Sequence, residues 1–462
     1  MSDEKALCAA IWASPHDDTL RLAYADWLDE HDRPERAEFI RLQCELAQLV
    51  YGEPAPAEMK AREAELWARH RAAWTAGLPR RVKARPFRRG FPAPELNPIS
   101  GPKFVALSAA VLDPAPLWAM RLLPTPKSLT AIAASPNLLR VGRLDLGHVQ
   151  NSPKVAAFLG SPNLHNVSEL FLGSSGVARN AVPALLANDA LTNLAELDLE
   201  DTRLTDDLLA GLVAAPRVAR LRWLDLSSNS FGDPGLLALA RSPHMTRLAG
   251  LVLAESLFRR WNRDQRGPRF GTPALREFCT SPILTGLRSL DLGNTELGDD
   301  AVRVFLETEH SFRLVALSLF GCGLSARSAE VLARWRGLGH VGTLRLAENP
   351  LGDGGAAVLA RARGPFRLTR LDLSRCEIGD AGAVALANWP GLAGLRALDF
   401  GGNPFGPAGA EALARSEHLN GVRALRLYPH RASKAVVKPL LTRFGDRLIH
   451  DSDSWTRNMS DD

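Results

Sequence analysis

The sequence predicts an α/β repeat solenoid preceded by a small all-α domain. Three observations carry that expectation. An LxL pattern returns at near-constant spacing, a helix-like stretch follows each LxL, and the first 78 residues have helical periodicity outside that repeat spacing.

The N-terminal segment comes first. In PHDDTLRLAYADWLDEH, Asp17 or Asp18 suits a helix N-cap, and Leu20, Tyr24, Trp27 and Leu28 share one helical face. Pro34 suits the first turn of the next helix, whose stripe is Phe39, Leu42, Leu46 and Leu49, with Gly52 ending it; a further helix is expected from about Ala57 to Thr75. The wording YADWLDE…RAEFIRLQCEL, with RRGF after it, resembles the repeat-companion domain that precedes repeats in some bacteria with large genomes, over residues 3 to 91. That resemblance implies no biochemical activity. Residues 79–116 are expected to form a basic junction, including PRRVKARPFRRG, and the N-terminal cap of the repeats.

The array is expected over 117–450. LxL, with Phe400 in place of the second leucine at Leu398, begins at Leu144, Leu170, Leu197, Leu224, Leu251, Leu290, Leu317, Leu344, Leu371, Leu398 and Leu425, at intervals of 26, then 27 three times, then 39, then 27 five times. LWAMRLL, from Leu117, is a degenerate opening strand, and RFGDRLIH a closing one. Within TRLDLSRCEIGDAGAVALANWPGLAGL, LDL alternates with period two, while Ala383, Leu386 and Ala387 recur at helical spacing after a Gly-Asp turn. A single unit cannot bury its leucines, whereas stacked units share one core. LxLxxN, a GDxG turn and an ALA-type helix resemble leucine-rich repeats of the ribonuclease-inhibitor type. The resemblance implies a leucine-rich-repeat solenoid: a horseshoe with a parallel sheet inside and helices outside.

Asn229, Asn349 and Asn403 stand at the turn position, where Thr202, Thr295, Cys322 and Cys376 replace them elsewhere. The two cysteines are read as turn fillers too far apart for a disulfide. The one long interval contains a twelve-residue insert, FRRWNRDQRGPR at 258–269, between a strand and its helix; the tail, 451–462, is expected to be disordered.

Composition bounds the function. No apolar run approaches the ~18 residues of a membrane span, and ALCAAIWA follows Asp3 and Glu4 instead of a basic segment. The five cysteines form no CxxC pair, so free thiols and a cytoplasmic location are expected. His16, Asp17 and Asp18 read as a helix cap and not a metal site, and no phosphate-loop, nucleophile-elbow or zinc-protease spacing occurs. Neither catalytic residues, metal nor cofactor are expected.

Recognition surface remains. Between the leucines stand Asp145, Phe171, Asp198, Asp225, Val252, Asp291, Ser318, Arg345, Asp372, Asp399 and Arg426, six of eleven being Asp, in a chain of net charge +5. These positions face the concave side, as do Trp223, Phe320 and Tyr428. The acids serve either partner steering or solubility. The insert carries Arg259, Arg260, Trp261, Arg263, Arg266 and Arg269 against Asp264, and reads either as a solvated loop or as a partner clamp. The sequence therefore leads to a non-catalytic, monomeric scaffold binding a protein partner through Phe171, Asp198, Trp223, Asp225, Asp291, Phe320, Arg345, Tyr428 and the insert arginines. The alternative is an enzyme regulator of GTPase-activating or inhibitor-like kind, since the Ran GTPase-activating protein has the same repeat type. Nucleic-acid binding through the basic patches is the weakest reading, because acidic strands interrupt a phosphate track.

Overall fold

The computed structural model describes residues 3–14, 17–48, 55–76, 87, 89–91, 119–121, 126–149, 151–255, 270–308, 313–427 and 434–449. Contacts divide the chain into two units, residues 1–50, 55–229 and 243–247 in one, and 51–54, 230–242 and 248–462 in the other.

The first unit opens with four helices, α1 (Asp3–Ala13), α2 (Asp18–Asp29), α3 (Pro34–Gln48) and α4 (Ala57–Trp74). Asp17 caps α2 by accepting from the backbone N–H of Thr19 at 2.9 Å, which is the helix-cap role expected of it. Ile11, Tyr24, Ala25, Leu28, Ile40, Cys44 and Phe91 share one cluster, and Phe39, Leu66 and Phe87 another. Helix α3 contributes to both, so its buried set of Phe39, Ile40, Gln43 and Cys44 is broader than one stripe. Arg89, Gly90 and Phe91 of the RRGF wording pack back onto these helices. Arg89 Nη1 donates to Asp18 at 2.8 Å, Gly90 N–H to Gln43 Oε1 at 2.7 Å, and Phe91 stacks on Tyr24 at 5.9 Å. Gly90 has φ +82°, and a Cβ there would stand 2.4 Å from Ile40 Cγ1, so only glycine fits.

Five parallel strands follow in this unit: β1 (Ala119–Arg121), β2 (Arg143–Asp145), β3 (Glu169–Phe171), β4 (Glu196–Asp198) and β5 (Trp223–Asp225). The second unit holds β6 (Gly250–Val252), β7 (Ser289–Asp291), β8 (Ala316–Ser318), β9 (Thr343–Arg345), β10 (Arg370–Asp372), β11 (Ala397–Asp399), β12 (Ala424–Arg426) and β13 (Leu448–Ile449), again all parallel. The expected opening strand is β1, although Met120 and not Leu117 is the register partner of Leu144, and the expected closing strand is β13. Leucines pair with leucines across the register, as Leu344 does with Leu371, and each LxL leucine is buried. The fold is thus the α/β repeat solenoid with an N-terminal helical region that the LxL period predicts.

Three kinds of side chain weld one repeat to the next. Asn349 Nδ2 donates to the Leu319 carbonyl of the preceding repeat at 2.8 Å, and its Oδ1 accepts from Leu324 N–H at 2.9 Å. Cys322 and Cys376 copy the donor half of this bond, each Sγ standing 3.1 Å from the carbonyl of Leu292 or Leu346, and both are free thiols. Burial pushes both thiols up to about 12, so they stay protonated. The Gly-Asp turn works forward instead: Asp380 Oδ1 accepts from Gly406 N–H at 2.8 Å and Gly409 N–H at 2.6 Å, at the start of the following repeat's helix.

Among the described residues, no helix is long and apolar enough to cross a membrane.

Candidate protein-binding strand face

The residues between the LxL leucines are turned away from the core, as period two requires. Their carboxylates do more than keep the face wet. Asp145, Asp198, Asp225, Asp291, Asp372 and Asp399 each accept from the backbone N–H two residues on, at 2.8 to 3.0 Å, so every Asp closes the turn that ends its own strand. That local bond is a structural reason for the LDL wording, independent of any partner.

In the first unit the register aligns Arg143, Glu169, Glu196 and Trp223 in one row, and Asp145, Phe171, Asp198 and Asp225 in the next. Within these two rows five carboxylates stand against one cation, Arg143. Phe171 and Trp223, both half-buried, lie with ring centroids 6.1 Å apart. Arg143 sits on Phe171, its guanidinium carbon 4.1 Å from the ring centre, and its Nη1 3.3 Å from Glu169 Oε2. Burial lifts Asp225 to about 7, helped by the charges of Asp198 and Glu200 and resisted by the Ser227 bonds. Burial and the Asp145 charge also raise Asp198, against the Glu200 N–H and Arg143.

The second unit presents a different face. Asp291, Ser318 and Arg345 are register partners on β7, β8 and β9, with Phe320 half-buried beyond Ser318. Next come paired charges: Arg345 Nε lies 4.0 Å from Asp372, and Arg426 Nη1 bonds buried Asp399 at 3.2 Å. Burial and Asp372 raise Asp399 to about 6 despite Arg426. The acidic surplus expected along the whole column is therefore concentrated on β2–β5, while β9–β12 balance arginine with aspartate.

The structure brings Phe171, Asp198, Trp223 and Asp225 together in one unit and Asp291, Phe320 and Arg345 in the other. Tyr428, Arg259, Arg260, Trp261, Arg263, Arg266 and Arg269 lie outside the described residues. Trp223 was taken from the position before the first leucine, but Arg143, which directly precedes Leu144 on the same outward side, was passed over. The helical domain spends its signature internally: Tyr24 donates to Glu4 at 2.9 Å, Asp26 pairs with Arg41 at 2.6 Å, and Trp27 is covered by His31 at 3.9 Å and Arg33 at 4.8 Å. Arg89, at the end of the basic junction, is likewise engaged by Asp18. Among the described residues, no group of three or more His, Cys, Asp or Glu side chains could hold a metal ion.

A family model described as Leucine Rich repeat matches residues 221–240, 367–387 and 395–414, so the chain carries leucine-rich repeats. No curated protein matches it by sequence. Among solved structures, it is similar to an internalin from Listeria monocytogenes, at 15% identity and TM-score 0.42, covering 78% of this chain and 86% of that one. It is also similar to a chain of the yeast Rad7 and Elc1 complex, at 15% identity and TM-score 0.49, covering 92% and 98%.

Proposed function

We propose that this chain of leucine-rich repeats is a non-catalytic scaffold that binds a protein partner through its outward strand face, with the Arg/Trp-rich insert at 258–269 as a second contact. The observation that carries this reading is the Phe171–Trp223 pair, two half-buried aromatic rings 6.1 Å apart on the outward strand face. Around them stand the carboxylates of Asp198, Asp225 and Glu196, which favour a basic partner and speed its encounter. We assign the repeats to the ribonuclease-inhibitor type, on LxLxxN, the GDxG turn and the ALA-type helix, and the helical region to the bacterial repeat-companion kind, on YADWLDE and RRGF. We take it as a cytoplasmic monomer, the location consistent with five free cysteines, four of them buried.

The test is affinity capture from a lysate of the source organism, using the intact chain, the double variant Phe171→Ala/Trp223→Ala, and a chain lacking 258–269. The scaffold reading expects a protein captured by the intact chain and lost with the double variant. An identical captured set from all three chains would refute it.

A further inference from the structure

Arg143 shows what the β2–β5 face is built to hold. Its guanidinium lies over the Phe171 ring at 4.1 Å while bonding the Glu169 carboxylate at 3.3 Å, a flat cation gripped on one side by a π-face and at its edge by an acid. The Arg143 side chain is 34% exposed, whereas Glu169 is 6% exposed, so the acid belongs to the floor and the arginine lies across it. The floor continues past Arg143: Asp198 is the register partner of Phe171 on β4, Asp225 that of Asp198 on β5, and Trp223 stands 6.1 Å from Phe171.

We propose that this face binds an arginine side chain of the partner, and that Arg143 is a tethered occupant of the same cradle, displaced when the partner's guanidinium seats over Phe171. The inference rests on the strand-face reading above and adds the chemistry it selects. Charge complementarity makes the incoming group a cation. The ring and the carboxylate together make it arginine in preference to lysine, because a planar, weakly hydrated guanidinium stacks and donates sideways at once, while an ammonium is a compact, strongly hydrated charge. While it occupies the ring, Arg143 competes with every incoming arginine and lowers its apparent affinity.

The full-length chain, its fold checked by thermal melting, is titrated with fluorescent hexa-arginine and hexa-lysine peptides by anisotropy. The wild type is expected to prefer hexa-arginine by roughly threefold or more. Arg143→Lys keeps the net charge but gives up the stacked occupant, so hexa-arginine should tighten by about three- to tenfold with hexa-lysine little changed. Phe171→Leu keeps an apolar side chain without the ring, and should erase the preference while both peptides still bind. If Arg143→Lys leaves both peptides unchanged, or shifts both equally, the tethered-occupant inference falls while the acidic docking face stands. If neither peptide binds the wild type, both fall.

Discussion

Asp353 accepts a hydrogen bond of 2.7 Å from the backbone N–H of Gly379, the residue that precedes the helix of the following repeat. The same Oδ1 takes a second bond, 2.8 Å, from Gly382 N–H inside that helix. Asp299 repeats the arrangement with Ser325 at 2.8 Å, and Asp233 with Gly271 at 2.7 Å. The repeat helices that begin at Asp380, Ala326 and Thr272 are therefore each held at the N-terminus by a side chain of the preceding repeat, and that contact is also an inter-repeat bond.

Asp353→Ala should destabilise the protein by about 0.5–2 kcal/mol, the usual cost of a lost cap, with Asp353→Asn costing less because it keeps an acceptor. Urea denaturation measures both. Equal stability of the alanine variant and the wild type would mean that the bond to Gly379 contributes nothing beyond what water supplies.

Asn349 and Cys376 occupy equivalent turn positions but should differ sharply under substitution. Asn349→Ala strips the Leu319 carbonyl and the Leu324 N–H of a fully buried partner, at about 1–3 kcal/mol for each group left unsatisfied. Cys376→Ser exchanges a weak S–H donor for a stronger O–H facing the Leu346 carbonyl, and stability should change by less than about 1 kcal/mol. Denaturation midpoints of the two variants give the comparison.

Asp225 makes stability depend on pH in an uncommon sense. Its carboxyl titrates near 7 when folded, above the ordinary 3.8, so the folded chain holds the proton more tightly than the unfolded chain between those values. Stability contributed by this group is greatest near pH 4 and falls as pH rises through about 7. Asp225→Asn keeps the oxygen that accepts from Ser227 N–H and removes the buried charge. The variant should melt higher than wild type at pH 8, with the gap narrowing as pH is lowered toward 4. A gap independent of pH would contradict the assignment.

Removing residues 258–269 should leave stability within about 1 kcal/mol. Among the described residues, inter-repeat bonds stand on either side of the insert: Glu255 N–H donates to the Gly293 carbonyl at 2.9 Å, and Gly271 N–H donates to Asp233 at 2.7 Å. Joining Leu257 directly to Phe270 restores the 27-residue spacing. Thermal melting of the deletion checks this, and a large loss would make the insert a structural element.

The periodic part of this molecule was legible because burial obeys period two and the strand interval is constant: Leu344 over Leu371 follows from counting alone. What a side chain does across a repeat boundary was not. LDL reads as an exposed acid, yet Asp291 bends back to Gly293 N–H, and nothing in alternation distinguishes the two roles. Gly-Asp reads as the start of its own helix, although Asp353 serves the next one. The Arg89–Asp18 pair joins residues 71 apart in a domain without repeats, where no spacing rule points from one to the other. Arg143 on Phe171 escaped for a simpler reason, since a ring and a cation 28 positions apart declare their contact only when strands are laid side by side.

The alternation of backward-bonding Asn or Cys and forward-bonding Asp governs how such a chain can change length over generations. A duplication of one whole repeat supplies both halves of every bond it interrupts, so the enlarged protein inherits complete seams. A duplication or loss of any fraction of a repeat would strand Asn349 or Asp353 opposite the wrong residue. An addition avoids that penalty when it falls after a strand's turn and before the next cap, as between Glu255, bonded to Gly293, and Gly271, bonded to Asp233. The arginine-rich block occupies that place in the sequence, between two repeats whose described bonds on either side of it, at Glu255 and Gly271, are in place.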